Sequence, residues 1–462
     1  MHPSLTMVTS LHESITPMTA MVLLPNLGAE EGDDWKPFRS QARVRMAARL
    51  WCLLFGAKSK FEFPRTTPEQ APDCGNCESL WPAALGPVPE NAVFDWLEAN
   101  SGPTAWLNTK SLEREIGASS GESLSGPSTA SVASMHDKAF AVETARRLDL
   151  FPRELDACIR IIDPDSFGSP GRLIESLDAT LKQWPKWTRG EFTLKPRIGG
   201  SGRGRVSGRR TLDQAQIRGA FPRLAKRGGA ILEPWLERRT DLSVSLVIPP
   251  PQSPDRATTI LGSLEMLVTA GGVYRGHCGE VDSRGRIFSG HPKDETLRAD
   301  AAAVANHARE AGFFGPCGID AFTYTFADAL ADTLVDPTTH ATGRSKATPF
   351  PARERLRSLV EFNARMTMGG VAIGLVRRAL PKIRAALDLH PGGLRGFILT
   401  FLDPKLGDER DERLDVLIRS GEPDAFSIDL AATREDDQPR PVLIVSRDRE
   451  SLRRAHRDVF GI

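Results

Sequence analysis

The sequence predicts a multidomain protein of mixed α/β and α+β class. Its 462 residues suggest several domains, at roughly 100–200 residues per domain. Near the N-terminus the apolar run Ala20–Leu24 predicts a buried strand, a glycine-containing loop follows, and Gln41–Phe55 has apolar residues at helical spacing. A strand, a loop and a helix in that order indicate an open α/β layer. Beyond residue 136, short apolar runs alternate with helical patterns, which indicates further layers of sheet and helix.

The later elements are predicted from capping residues and apolar patterns. Asp137 can cap a helix over residues 136–149, because its carboxylate accepts backbone N–H groups. Thr211 is the predicted cap of a helix to Ala220, and Pro222 is its predicted stop. Further helices are predicted at Ala299–Ala311 and 448–459. Strands are predicted at Phe192–Leu194, Ala230–Leu232, Leu242–Ile248, Ile319–Tyr324, Leu359–Phe362, Gly396–Phe401, Ala425–Ile428 and Val442–Val445.

Composition and charge exclude several classes of protein. The chain has 60 Lys and Arg against 59 Asp and Glu, a formal net charge of +1, which argues against a polybasic nucleic-acid binder. No apolar run reaches the roughly 18 residues that span a bilayer, so we expect no membrane segment and a cytoplasmic protein. The six cysteines do not make a disulfide scaffold. Cys74 and Cys77 could form a zinc half-site or a redox pair, but two reduced thiols in a loop is the simpler interpretation.

A glycine-rich segment is the densest chemical signal. Lys195 supplies a compact positive charge for phosphate, and glycines allow backbone N–H groups to wrap an anion. The lysine precedes the glycines, so the segment is not a Walker A loop. A flexible surface loop is the alternative interpretation. The residues that follow the lysine in this segment include Gly199, Gly200, Ser201, Gly202 and Gly204.

A second group of polar residues indicates a metal site. On a strand over 359–363, Glu361 and Asn363 point to the same face, and Arg365 continues that face. Asp320 lies on the neighbouring predicted strand and could complete a site for Mg²⁺, with Mn²⁺ as an alternative. An exposed polar strand face is the other interpretation.

Between two further strands, the connector Glu233-Pro-Trp-Leu236 can present backbone groups to an adenine edge.

These four pieces, in this order, resemble the ATP-grasp superfamily over roughly residues 136–375. The resemblance implies that Lys138, on the helix after Asp137, contacts the α and β phosphates of ATP. It implies that Lys195 is the second phosphate lysine and that the glycine loop behind it closes over the phosphates. Asp320, Glu361 and Asn363 match the metal-binding acid, the bridging glutamate and the asparagine.

The resemblance also implies which residues bind the adenine and ribose of ATP and which residues contact the substrate. Glu233 would lie near the exocyclic amine of adenine, while Trp235 and Leu236 would read the base through their backbones. Asp241 falls where the family has an acidic ribose ligand. Arg365 matches members with an Asn-x-Arg ending, and would stabilise the developing oxyanion. Arg275 follows a probable strand where the family meets its substrate carboxylate or phosphate, although a surface arginine is an equally open interpretation.

The resemblance divides the chain into four parts. These are an N-terminal pre-ATP-grasp-like α/β domain over 1–135, a small subdomain with the glycine-rich loop over 136–229, a large subdomain with hinge and metal site over 230–380, and a C-terminal α+β segment over 381–462. The family joins the strands of Asp320 and Glu361 by a short turn. Residues 329–352 therefore look like an insertion, either disordered or a cap on the active site.

The function implied is an ADP-forming ligase that activates a carboxylate as an acyl phosphate and joins it to an amine. Its partners would be small-molecule or peptide carboxylates and amines, and a homodimer is expected from the resemblance. Phosphoryl transfer needs charge neutralisation more than a protein nucleophile, so we expect no catalytic serine or cysteine. A kinase that phosphorylates a hydroxyl and a non-catalytic nucleotide-binding module are the competing functions.

Overall fold

The computed structural model describes most of the chain from residue 102 onward and parts of what precedes it. The described residues are 21–30, 42–54, 59–61, 85, 102–200, 202, 204–209, 212–253, 257–269, 273–326, 353–402, 409–420, 425–430 and 439–460. Ser201, the Cys74 and Cys77 pair and the predicted insertion 329–352 lie outside them. No helix in these ranges is long and apolar enough to cross a membrane.

The N-terminal part forms a small parallel sheet with helices beside it. Strand β1 (Met21–Leu24) is central and pairs in parallel with β2 (Ser59–Phe61) and β3 (Thr104–Ala105). Helix α1 (Ala42–Cys52) lies between β1 and β2 in the chain, which confirms the predicted strand–loop–helix order. Helices α2 (Lys110–Ser120) and α3 (Thr129–His136) follow.

A second, antiparallel sheet carries the glycine-rich segment. Its order is β4-β7-β5-β6. The strands are β4 (Arg160–Ile162), β5 (Glu191–Pro196), β6 (Val206–Arg209) and β7 (Ala230–Pro234). The helices of this part of the chain are α4 (Lys138–Arg147), α5 (Arg153–Asp156), α6 (Pro164–Phe167), α7 (Pro170–Gln183) and α8 (Gln214–Lys226), with a 3₁₀ turn at Lys186–Thr188. The predicted cap of α4 is confirmed, because the Asp137 carboxylate accepts the Ala139 N–H at 2.8 Å.

Helix α8 corrects the prediction for residues 211–222. The helix begins after Asp213, whose carboxylate caps it by accepting the Gln216 N–H at 3.1 Å, while the predicted cap Thr211 lies outside the described residues. The helix also runs through Pro222 instead of stopping before it. Pro222 lies on an exposed face, where water can bond the backbone carbonyl that lacks a helical partner. The buried side chains of Ile217 and Leu224 anchor the helix on either side of the proline.

A nine-stranded sheet forms the largest layer, in the order β13-β12-β8-β9-β11-β10-β14-β16-β15. The strands are β8 (Arg238–Ile248), β9 (Thr259–Val268), β10 (Tyr274–Asp282), β11 (Ile287–Phe288), β12 (Gly315–Phe326), β13 (Arg353–Asn363), β14 (Leu394–Leu402), β15 (Phe426–Asp429) and β16 (Arg440–Ser446). The helices of this part are α9 (Asp294–Glu310), α10 (Met368–Leu387), α11 (Glu409–Ser420) and α12 (Arg449–Phe460).

The C-terminal segment continues this same sheet. Strand β14 pairs with β10, and β16 pairs with β14, so the chain after residue 381 adds strands to the layer that carries the metal residues. The expected boundary at residue 380 falls inside helix α10, which is buried along most of its length. Residues of β1, α1, α10 and the large sheet share one hydrophobic core. That shared core fixes the N-terminal part against the sheet that carries the candidate site.

Candidate functional site

The phosphate, metal and arginine residues predicted from the sequence line a single cavity of about 330 Å³. It lies between the glycine-rich segment of the small sheet and strands β8, β12 and β13 of the large sheet. The predicted residues among its lining are Lys138, Lys195, Gly200, Gly202, Asp241, Asp320, Glu361, Asn363 and Arg365. Residues from distant parts of the sequence are therefore brought to one place by the packing of two sheets.

The candidate metal residues occupy paired positions on two antiparallel strands. Asp320 of β12 pairs with Glu361 of β13, and Gly318 pairs with Asn363. All three polar side chains line the cavity, and Asn363 is hydrogen-bonded to Asp320. Burial, together with the nearby Glu361 carboxylate, raises the pKa of Asp320 to about 7.

These donors fit a hard cation. Two carboxylates and an amide oxygen are ligands that Mg²⁺ accepts, and Mg²⁺ usually takes its remaining ligands from phosphates and water. No group of three His, Cys, Asp or Glu side chains within the described ranges could hold a metal. A cation here would therefore depend on Asn363 and on phosphate oxygens in addition to Asp320 and Glu361.

Lys138 connects the glycine-rich segment to the metal residues. It is the first residue of α4, and its Nζ donates to the Gly199 carbonyl oxygen at 2.5 Å and lies 3.1 Å from Glu361 Oε1. Burial is the largest single influence on Glu361 and would raise its pKa, but the combined effect of Lys138, His136 and Arg365 lowers the pKa. Arg197 holds the start of the loop, since its guanidinium lies 2.6 Å from Asp137 Oδ2. The site thus keeps Glu361 ionised beside a lysine.

Lys195, the predicted second phosphate lysine, belongs to a buried ion triad with Glu233 and Arg357. Lys195 forms an ion pair with Glu233, and Arg357 Nη2 lies 2.7 Å from the other Glu233 oxygen. Burial lowers the pKa of Lys195 to about 8, although Glu233 opposes that shift. The Glu233 side chain is therefore engaged by two cations, and any contact with adenine would have to come from its backbone. Arg357 was not predicted from the sequence.

The predicted hinge lines an adjoining cavity. Trp235 and Leu236 lie on a space of about 610 Å³ that shares Arg205, Arg238 and Asp241 with the first cavity. The Trp235 N–H donates to the Glu191 carbonyl oxygen at 2.9 Å, so it is used within the fold and is not directed to a ligand. In the described part of the chain the Leu236 N–H has no hydrogen-bond partner.

Asp241 and Gly204 were both predicted to bind the nucleotide, and the structure shows what surrounds each of them. Asp241 lines both cavities, but Arg238 donates to its Oδ1 at 2.8 Å. Arg205 lies with its guanidinium carbon 5.1 Å from the centre of the Trp235 ring. Gly204 adopts a φ of +75°, a backbone conformation that favours glycine, and it is not among the residues that line the two cavities described above. Arg205 is one of the arginines that crowd the glycine-rich segment in the sequence, where they could hold an anionic substrate or form a solvated basic face; Arg238, also a cavity residue, was not singled out from the sequence.

Arg365 is oriented by the N-terminal part of the chain. Its Nη1 donates to the Met366 carbonyl oxygen at 2.9 Å, and its Nη2 lies 3.4 Å from Glu30 Oε1. The guanidinium carbon lies 5.9 Å from the centre of a Trp106 ring. Glu30 also approaches the glycine-rich segment, because a Cβ on Gly200 would lie 2.9 Å from Glu30 Cγ. Neither Glu30 nor Trp106 was singled out from the sequence.

Arg275 lies outside the cavity of the phosphate and metal residues. It lines a smaller neighbouring cavity of about 110 Å³, which shares Tyr274 and Met368 with the main one. His277 lines the main cavity, and its Nδ1 lies 2.6 Å from the Tyr274 hydroxyl. Burial lowers the pKa of His277 to about 3, which keeps the imidazole neutral near neutral pH.

The fold and the gathered residues define a class of protein. No family model and no curated protein matches the chain. Among solved structures, the ADP complex of an N5-carboxyaminoimidazole ribonucleotide synthetase is 13% identical, covers 96% of each chain and has a TM-score of 0.51. This synthetase has the ATP-grasp fold, and the chain therefore has that fold, as the resemblance implied.

Two further solved structures are similar over most of their length. The N5-carboxyaminoimidazole synthase from Aspergillus clavatus is 12% identical, with 96% of this chain and 97% of that chain covered and a TM-score of 0.49. Biotin carboxylase from Campylobacter jejuni is 11% identical, with 92% and 87% covered and a TM-score of 0.46.

Proposed function

We propose that the chain is an ATP- and Mg²⁺-dependent ligase. It activates a carboxylate as an acyl phosphate and joins it to an amine, with release of ADP and phosphate. The observation that carries this proposal is the single cavity that gathers two lysines, the glycine-rich segment, an opposed carboxylate pair and Arg365. The ATP-grasp fold and the ADP bound in the similar synthetase support a nucleotide in this cavity.

The first step transfers the γ-phosphoryl group. A carboxylate oxygen of the substrate attacks the γ-phosphorus while the bond to the β-phosphate oxygen breaks, and ADP leaves. Lys138 and Lys195 neutralise phosphate charge, which is the main requirement of such a transfer. Asp320, Glu361 and Asn363 would hold Mg²⁺, which would supply further neutralisation of the phosphate charge.

The second step forms the amide bond. The amine nitrogen attacks the acyl carbon, the tetrahedral intermediate collapses, and phosphate leaves as the nitrogen loses a proton. Arg365 stabilises the negative oxygen of that intermediate, and its guanidinium is already oriented by Met366 and Glu30. The glycine-rich segment excludes water, which would otherwise hydrolyse the acyl phosphate.

The test is release of ADP by the full chain with pairs of substrates. A panel of carboxylates, including amino acids and small peptides, is combined with amines in the presence of ATP and Mg²⁺. We expect ADP and inorganic phosphate to appear in equal amounts only when both partners are present, with an amide product by mass spectrometry. A stable phosphorylated hydroxyl without free phosphate would instead show a kinase. Nucleotide binding without turnover on any pair would show a non-catalytic module.

A further inference from the structure

A small apolar cavity of about 110 Å³ opens beside the candidate site. Its walls come from separate parts of the chain: helix α1, the start of β10, the first residue of α10, and the C-terminal strands. The apolar residues that line it are Met46, Ala47, Met368, Phe401 and Pro439, with the ring of Tyr274 beside them. Tyr274 and Met368 line the main cavity as well, so the two spaces share a wall.

The walls of this small apolar cavity are held in place. Met46 and Ala47 are buried on α1, where they belong to the main hydrophobic core. The Tyr274 ring lies against Phe401, with ring centres 5.7 Å apart. The Tyr274 hydroxyl lies 2.6 Å from His277 Nδ1 in the main cavity, and this contact fixes the position of the outer end of the ring. The pocket is therefore preformed.

Its size selects a small apolar group. An apolar cavity of about 150 Å³ can hold a benzene molecule. The small apolar cavity is smaller, so it has room for an aliphatic side chain of the size of valine or leucine and excludes an indole. Burial of such a side chain away from water favours its binding. The one charged residue among its described lining is Arg275.

On the main-cavity side of Met368, the side chains of Ser243 and His277 lie near the start of helix α10. A Cβ on Gly369 would lie 3.4 Å from Ser243 Oγ and 3.5 Å from His277 Nε2, so both groups reach the start of α10. Ser243 is 6% exposed and lines the main cavity, and its hydroxyl has no hydrogen-bond partner within the described residues. Buried hydroxyls are normally hydrogen-bonded, so a ligand oxygen is expected here.

We propose that the carboxylate substrate is an aliphatic one, such as a small apolar amino acid, whose side chain occupies the small apolar cavity. Its carboxylate lies across Met368 in the main cavity, where Ser243 donates a hydrogen bond to it. This inference rests on the proposed ligase function and specifies its substrate class. Large aromatic carboxylates are poor substrates, because the pocket cannot hold their bulk, and neutral polar ones are poor because its apolar walls leave their polar groups unpaired.

Two variants that change the cavity in opposite directions test the inference. Ala47→Leu fills the pocket, and Met46→Ala enlarges it. The measurement is kcat/KM for ADP release with glycine, alanine, valine, leucine and phenylalanine. We expect Ala47→Leu to lower the leucine-to-alanine ratio about 10-fold or more, and Met46→Ala to raise the phenylalanine-to-valine ratio, since one methylene in such a pocket changes selectivity roughly 10–200-fold.

The controls separate this inference from the ligase function. Ala303→Leu makes the same change on helix α9, away from the small apolar cavity, and should leave both ratios unchanged. Ratios that stay constant in all three variants, or a preference for aspartate or bicarbonate, would overturn the inference while the ligase stands. Absence of ADP release with every carboxylate, despite ATP binding by calorimetry, would overturn both.

Discussion

Asp320 and Glu361 face each other across a single pair of antiparallel strands, as directly paired residues of β12 and β13. Two carboxylates this close repel each other unless a cation or a proton lies between them. Burial and the Glu361 charge raise the pKa of Asp320, whereas Lys138, His136 and Arg365 together lower the pKa of Glu361, so Glu361 is the carboxylate that stays ionised. A divalent cation that binds both would relieve the repulsion.

Substitution of Glu361 tests the metal assignment. Glu361→Gln keeps the size of the side chain but removes the charge, so we expect a folded protein whose Mg²⁺-dependent ADP release falls by about 100-fold or more. Circular dichroism and thermal unfolding check the fold. Glu354→Gln, an exposed position on the same strand, is the matched control and should keep full activity. An active, fully folded Glu361→Gln protein would contradict the assignment.

Substitution of Lys195 tests the phosphate contact. Lys195→Ala removes a cation at the cavity wall, and we expect ATP affinity measured by calorimetry to fall about 10- to 100-fold, or about 1.4 kcal/mol per factor of ten. Glu233 remains paired with Arg357 in this variant, which limits the loss of stability. The control is Lys186→Ala at an exposed position. Unchanged ATP affinity in Lys195→Ala would show that the lysine serves only to pair Glu233.

The buried triad makes a separate prediction about stability. Arg357 is 2% exposed, and Arg357→Met leaves Glu233 with only Lys195 as a partner. Removal of one member of a buried ion pair costs about 3–5 kcal/mol. Urea unfolding of Arg357→Met should show a loss below that range, because Lys195 still compensates the Glu233 charge. In the double variant with Glu233→Gln, the loss should be smaller than the sum of the two single losses, because the two residues share one interaction. Two additive losses in the double variant would argue that the residues are energetically independent.

Much of the site could be predicted because its residues lie at fixed positions in regular elements. Glu361 and Asn363 share a face of a strand by simple alternation, and Asp320 lies opposite them once the two strands pair. Lys138 follows a recognisable helix cap. These features depend on the alternation of side chains along a strand and on helix capping, both of which can be read from neighbouring residues in the sequence.

The rest of the site depends on packing between distant segments. Glu30 contacts Arg365, and Arg357 contacts Glu233, although each pair is far apart in sequence. Neither residue belongs to a motif, so nothing local distinguishes it from a surface charge. Helix α10 was also missed, and β14 was not recognised as part of the large sheet, because strand order is a tertiary property. The same reason places Arg275 in the small apolar cavity rather than with the phosphate residues.

One glycine of the sheet should be irreplaceable. Gly276 has a φ of +151°, and a Cβ at this position would lie 2.0 Å from the Leu399 carbonyl oxygen of the neighbouring strand. Since that atom is backbone, the strand pair must separate, and Gly276→Ala should cost about 3 kcal/mol or more. Gly312→Ala is the control, because it has positive φ but open space, and should cost roughly 1–2 kcal/mol. Equal losses in the two variants would show that the contact with Leu399 is unimportant.

Buried histidines predict how stability depends on pH. Burial lowers the pKa of His456 to about 4 and that of His136 to about 4. The unfolded chain binds these protons below its pKa of about 6.5, whereas the folded chain does not, so stability is full above about pH 6.5 and falls as the pH drops toward 4. Each histidine contributes about 1.4 kcal/mol per pH unit within that window.

The variant His456→Gln measures how much one of these histidines contributes to the pH dependence of stability. His456 is 1% exposed, and its Nε2 lies 2.9 Å from the Thr400 hydroxyl, a hydrogen bond that the glutamine amide can replace. Urea unfolding at pH 7, 6 and 5 should show a shallower loss of stability in the variant, by about 1.4 kcal/mol per pH unit below 6.5. His390→Gln, at an exposed position, should leave the slope as it is. Parallel curves for His456→Gln and the unsubstituted protein would mean that His456 takes up its proton in the folded state.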